Sequence, residues 1–294
     1  MKIGFIGLGI MGMPMFLNIA KKHDDAVFCT DIVQENAKKA AEEARHLGAD
    51  ASFCPDNLSL AKNADIIISM VPKSEDSKKV YLGILPALRS GKICIDMSTI
   101  DPAVSQEIAG FVKETGAEFA DAPVVKSRAA AEAGNLGIYV GASEELYERI
   151  LPVLSYMGST VLYLGPNGSG LVMKICHNAL VSQIQNGVNE TSELARRNGI
   201  DARTYVQAIA AGGGQNAYLD NHVNMLAENE FPASFTLQNA AKDVRICMEL
   251  AKRTGILMPG EENVTRVYDK ALEMGLQKED WGATVKAYRE LCGE

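Results

Sequence analysis

Several features are scarce or missing in this chain of 294 residues, and each absence narrows what it can be. No segment holds about 18 uninterrupted apolar residues, so no membrane-spanning helix is expected. No basic run occurs and the formal net charge is −8, which argues against nucleic acid as a partner. The same acidic balance means that an anionic substrate must be met by local cations. The cysteines, at 29, 54, 94, 176, 247 and 292, show no C-x-x-C and no metal-ligand spacing, so no metal centre is expected. Cys29 and Cys94 lie in apolar runs and read as reduced core residues, which fits a reducing, cytoplasmic setting. The N-terminal stretch MKIGFIGLGIMG is apolar but broken by glycines, and it lacks the pattern of a secretory signal. There is no internal repeat and no low-complexity linker.

What is present is a strand, a glycine turn and a helix at the outset. Residues 2–6 read as a buried strand and 13–22 as a helix, with Gly7-Leu8-Gly9-Ile10-Met11-Gly12 between them. In G-x-G-x-x-G, the first glycine permits the tight turn and the second lets a pyrophosphate approach the backbone. The third allows close packing of helix on strand, and the helix N-terminus offers N–H donors to phosphate. The next strand, 26–30, ends at Asp31, about twenty residues past the glycines. A carboxylate there accepts from both ribose hydroxyls and repels a 2′-phosphate, and no arginine follows it. NAD is therefore expected over NADP.

Further strands are read at 65–72, 92–96, 118–122, 136–140 and 161–164. Helical runs at 34–46, 75–82, 102–115 and 144–156 separate many of them. Alternation of this kind predicts an α/β, Rossmann-type, doubly wound and mostly parallel sheet, which the last two strands complete. Ligands of such sheets bind beyond the strand C-termini, which puts Met70-Val71-Pro72, Ser98-Thr99 and the segment after Asp121 beside the cofactor. After Leu164 strand-like runs vanish. The expected division is 1–164, a NAD-binding domain, and 165–294, an all-helical domain for substrate and self-association. A helix from Ser169 to about Asn198 joins the two, followed by helices near 201–210, 216–228, 237–254, 262–274 and 280–291. Lys174 and Asn178 stand one turn apart on that long helix and share a face. A lysine in a closed, dry site can pass a proton near neutral pH, which makes Lys174 the expected general acid/base.

Taken together these motifs resemble the β-hydroxyacid dehydrogenase family over essentially the whole chain. GLGIMGMPM is similar to the family's cofactor signature, and Asp96-Met97-Ser98-Thr99 to its D-x-S-T segment near nicotinamide and substrate. Asp121-Ala122-Pro123-Val124 opens a segment like its substrate loop, and Gly168-x-Gly170-x-x-x-Lys174-x-x-x-Asn178 is similar to its catalytic motif. Phe235 with Lys242-Asp243 matches its F-x-L…K-D segment, and Asp280-Trp281 a C-terminal one. The resemblance implies hydride transfer between a nicotinamide and a small alcohol or aldehyde. It gives Lys174 and Asn178 catalytic roles and puts Ser98, Thr99 and Asn178 on the substrate. Gly7 to Gly12, Asp31, Met70, Val71, Pro72, Thr99 and Lys242 would then lie on the cofactor. His177, one residue off the Lys174 face, reads as packing. Dimers or tetramers are expected, as in the family. A dinucleotide-binding module that has lost catalysis is the alternative of another class, and the intact Lys174 and Asn178 speak against it.

One loop departs from the family pattern. Where relatives carry S-G-G after D-A-P-V, this chain has Val125-Lys126-Ser127, followed by Arg128. Glycine loops hold anions through backbone N–H groups, and the two cations point to side-chain charge instead. All four residues are expected at the substrate. The loop is similar to that of the family's sulfolactaldehyde reductases, which suggests a three-carbon aldehyde or alcohol bearing a sulfonate. Carboxylates such as 3-hydroxyisobutyrate or tartronate semialdehyde are the alternatives.

Overall fold

A computed structural model describes residues 1–293. It forms two compact units, Met1–Lys174 and Ile175 to the C-terminus, which divide within the long helix.

The first unit opens with β1 (Ile3–Ile6), α1 (Gly12–Lys22), β2 (Val27–Thr30), α2 (Gln34–His46), β3 (Ala51–Phe53) and α3 (Asn57–Asn63). It continues with β4 (Ile66–Ser69), α4 (Ser74–Ile84), β5 (Ile93–Asp96), α5 (Pro102–Glu114) and β6 (Glu118–Asp121). These strands make one sheet in the order β3-β2-β1-β4-β5-β6, and every neighbouring pair is parallel. Helices cover both faces, so strands such as Ile66-Ile67-Ile68 are buried throughout rather than alternating. Each isoleucine so buried contributes about 1.5–3 kcal/mol. The strand order reverses between β1 and β4, so the loops after those two strands face a common crevice.

The last strands do not complete this sheet, contrary to the sequence expectation. β7 (Val124–Val125), α6 (Arg128–Glu132), β8 (Leu136–Val140), α7 (Glu144–Leu154) and β9 (Gly158–Tyr163) follow β6. β7, β8 and β9 form a separate three-stranded sheet, antiparallel between β7 and β8 and parallel between β8 and β9. Pro123 lies between β6 and β7 and has no N–H to continue a ladder. The chain leaves the main sheet there, and a single antiparallel bridge from Asp121 to Gly141 joins the two.

α8 (Ser169–Arg197) spans 29 residues. Gly199, at φ +82°, lies just past its end and suits a helix stop. The second unit is helical: α9 (Ala202–Ala210), α10 (Ala217–Glu228), α11 (Leu237–Thr254), α12 (Pro259–Glu273) and α13 (Thr284–Leu291). Asp280, fully buried, accepts from the N–H groups of Ser234, Phe235 and Gly282 and from the hydroxyl of Ser234. It thereby ties the loop before α11 to the turn before α13. No helix among the described residues is long and apolar enough to cross a membrane, and none of their side chains cluster as a metal site.

Candidate active site

The glycine turn has the shape its sequence predicts. Gly7 has φ +93°, and a Cβ there would run into the carbonyl oxygen of Met70 after β4. A Cβ on Gly12 would run into the carbonyl of Gly7. Gly9 differs, because a Cβ there would meet nothing within 4 Å. Packing does not require that glycine, whereas close approach of a phosphate group does. α1 begins with no acidic residue in its first turn and no side-chain cap, so the positive end of its dipole is left for an anionic ligand. Leu8 is buried and Ile10 exposed.

Asp31 is fixed at the end of β2. Its Oδ2 accepts from the Leu8 N–H at 2.6 Å, and its Oδ1 accepts from Val33 N–H at 2.8 Å. The carboxylate thus braces the glycine turn and stands where a ribose would be read. Ile32 beside it is fully exposed. These features fit a dinucleotide, with Gly9 open to the pyrophosphate and Asp31 placed for the ribose.

At the end of β5, Asp96 is buried and accepts from the hydroxyls of Ser69 and Ser77 and from the Ser98 N–H. Burial raises its pKa, and those donors oppose the rise. Ser98 has no exposed surface, and its hydroxyl accepts from the Val71 N–H at 2.9 Å. It locks the loop after β4 to the loop after β5, while Thr99, next in the chain, is half-buried. Asp96 and Asp121 are register partners at the ends of adjacent strands. Asp121 is fully buried and accepts from Gly168 N–H at 2.6 Å, Leu171 N–H at 2.8 Å and the side-chain amide of Asn167 at 2.9 Å. Both aspartates head motifs read from the sequence, D-x-S-T and D-A-P-V, but neither was given a role of its own there; an acid closing an apolar strand is the further signal.

In the departing loop, Val125 is buried and Lys126, Ser127 and Arg128 are exposed. Lys126 has φ +83°, in the left-handed region that favours glycine. Its ammonium donates to the Asn135 carbonyl at 2.7 Å and to Asn135 Oδ1 at 3.2 Å. Both partners are neutral oxygens, so no carboxylate pairs with the lysine in these contacts. Arg128 opens α6 and pairs with Glu132 at 2.8 Å.

On α8, Lys174 is half-buried, and the four-residue step to Asn178 sets both on one helical face. Asn178 donates its amide N–H to Asp243 Oδ2 at 2.7 Å. Only the amide nitrogen can donate to a carboxylate, so the carbonyl oxygen faces away from Asp243. Asp243 is buried on α11, and Lys242 approaches its other oxygen at 3.0 Å.

Comparison with known proteins agrees with this geometry. The family model described as the NAD binding domain of 6-phosphogluconate dehydrogenase matches residues 2–165. A second, described as NAD-binding of NADP-dependent 3-hydroxyisobutyrate dehydrogenase, matches residues 168–288. The chain is 33% identical to mitochondrial 3-hydroxyisobutyrate dehydrogenase of Rattus norvegicus, over 98% of this chain and 87% of that one. It is 30% identical to 2-(hydroxymethyl)glutarate dehydrogenase of Eubacterium barkeri, over 99% and 96%. The solved structure of Mycobacterium tuberculosis 3-hydroxyisobutyrate dehydrogenase with L-serine superposes with a TM-score of 0.85 at 26% identity, covering 98% of this chain and 99% of that one. The chain belongs to the β-hydroxyacid dehydrogenase family, and is an oxidoreductase that acts on CH–OH groups with a nicotinamide dinucleotide.

Proposed function

We propose that this enzyme moves hydride between NAD and the terminal carbon of a short, anionic alcohol or aldehyde of three or four carbons. The cofactor supplies the hydride chemistry, and the protein supplies position and proton management. Lys174 is the general acid/base: in reduction its ammonium protonates the developing alkoxide, and in oxidation the neutral amine takes the proton back. The observation that carries this reading is the Lys174–Asn178 face, with Asn178 oriented by Asp243 so that its carbonyl can accept from a substrate hydroxyl. Ser98, buried with its hydroxyl on the Val71 N–H, holds the loops after β4 and β5 together, and Thr99 beside it is assigned to the substrate. Asp31 supports NAD over NADP.

The anion is assigned to Lys126. Its charge is held by neutral carbonyls, whereas that of Arg128 is already met by Glu132. A carboxylate is the first choice, because 3-hydroxyisobutyrate, L-serine and 2-(hydroxymethyl)glutarate, named for the relatives, share the unit HOCH2–CH(R)–COO⁻. The second reading, a sulfonate as in sulfolactaldehyde, is favoured by a cation at a left-handed position suited to glycine. Self-association as a dimer or tetramer is supported by the exposed apolar side chains of Met173, Leu180 and Leu194 on α8.

A steady-state panel tests the reading: NADH and NADPH against tartronate semialdehyde, methylmalonate semialdehyde, succinic semialdehyde and sulfolactaldehyde, with 3-hydroxyisobutyrate and L-serine in the oxidative direction. Turnover of one of these is expected, with NADH for the aldehydes or with NAD⁺ for the two alcohols. Tight NADH binding without turnover of any would favour a dinucleotide-binding module.

A further inference from the structure

The first turn of α8 is held by a residue outside the reaction as described. Asp121 projects from the end of β6 and places one carboxylate oxygen on Gly168 N–H and Asn167, and the other on Leu171 N–H. Its own backbone is pinned by two hydrogen bonds to Gly141, at 3.1 and 2.8 Å. A helix leaves its first N–H groups without intrahelical partners, and this carboxylate satisfies two backbone N–H groups at that end. The glycines of the motif become intelligible on the same ground. A Cβ on Gly170 would lie 2.8 Å from Asp121 Oδ2 and would also run into the Tyr139 carbonyl. A Cβ on Gly141 would run into Asp121 Oδ1. Gly168 has φ +95°. Strand end, carboxylate and helix thus meet where only hydrogen fits. Burial pushes the Asp121 pKa up to about 6, against the pull of its N–H donors.

Leu171, whose N–H is held, is three residues before Lys174, about 4.5 Å along the axis. The side chain of Leu171 is fully buried in the core of the first unit, so this turn is fixed on two sides. We propose that Asp121 is the positioning residue for Lys174: by clamping the first turn of α8 to the end of β6 it sets where the lysine stands. This rests on the reading of Lys174 as the acid/base.

The test uses the full-length enzyme with the best substrate of the panel above. Asp121→Asn keeps the shape but turns one acceptor into a donor facing an N–H; Asp121→Ala removes the clamp. Asp121→Asn is expected to lower kcat by about 10²-fold, the scale of an ångström's misplacement, with the KM for NADH within about twofold. Hydrogen exchange needs no substrate: amides in 167–175 should exchange faster in Asp121→Asn, with β1 to β5 unchanged. Added to Lys174→Ala, the substitution should cost no more than about twofold further, since groups acting as one unit are non-additive. Unchanged exchange in 167–175 overturns the clamp. An unchanged kcat in Asp121→Asn while Lys174→Ala is crippled, or full additivity in the double variant, overturns the positioning role alone. Full activity of Lys174→Ala instead removes the acid/base reading, whatever the Asp121 variants do.

Discussion

Two glycine-rich turns in the first unit lead into helices, and they treat the helix N-terminus in opposite ways. At α1 the end is left open: no acid lies in the first turn, no side chain caps it, and a Cβ on Gly9 would meet nothing within 4 Å. At α8 the end is closed: Asp121 occupies it, and Gly170 is hemmed in by that carboxylate and by the Tyr139 carbonyl. Both ends offer positive potential. The first leaves it uncapped, which suits the phosphates of the proposed cofactor. The second spends it on an internal anion, which makes a rigid base for a side chain further along. The same residue type therefore stands over open space in one case and in a packing constraint in the other, and spacing does not tell them apart.

The largest effect is expected beyond the closed end. Lys174→Ala should lower kcat by about 10²–10⁴-fold, the usual weight of a general acid/base, with NADH affinity nearly unchanged. Steady-state kinetics and NADH titration check this, and full residual activity would remove the lysine's role. The glycines break the comparison directly. Gly9→Val should weaken NADH by tenfold or more, about 1.4 kcal/mol, while leaving the melting temperature nearly unchanged. Gly170→Ala should do the reverse, losing about 1–3 kcal/mol of stability through a clash with backbone while NADH still binds. Equal loss of melting temperature in the two would sink the contrast. Lys126→Ala should raise the KM for an anionic substrate about tenfold, the value of roughly one charged contact, and leave cofactor binding alone. An unchanged KM would return Lys126 to a plain loop charge.

The smallest effect is a pH dependence of stability. The open end carries no acid in its first turn, whereas the closed end carries Asp121, raised from 3.8 to about 6. In the second unit, Glu261 is buried against Ser182 and Gln183 and is raised from 4.5 to about 7 by burial. A folded pKa above the unfolded one means that the contribution to stability is present at low pH and lost as pH rises through the folded value. Melting temperatures should therefore fall between about pH 4 and 7. Glu261→Gln should flatten the upper part of that slope, and an identical slope in the variant would show that Glu261 does not contribute to it.

Much of the molecule was legible in the chain. β1, the glycine turn, α1 and Asp31 were readable because each rests on local geometry over a few residues. α8 was readable because its apolar pattern is long and bounded by Ser169 and Gly199. β3, β7 and α6 escaped because elements of two to five residues carry too little periodicity. The second sheet escaped because Pro123 and the Asp121–Gly141 bridge act between segments far apart in sequence. Of the two loop cations, residue type alone could not separate Lys126 from Arg128; Glu132, one turn along α6, does so only once that helix exists.

The Gly168–Asn178 stretch, read by itself, holds a lysine and an asparagine on one helical face behind two glycines. That much the sequence determined, because the period of a helix is a property of the backbone. Tertiary structure decided the rest. It brought Asp121 to the helix end and Asp243 to the amide of Asn178, contacts spanning 47 and 65 residues. No local rule pairs residues so far apart. They meet because strand order and helix packing bring them together, and buried carboxylates are stable there only with such donors.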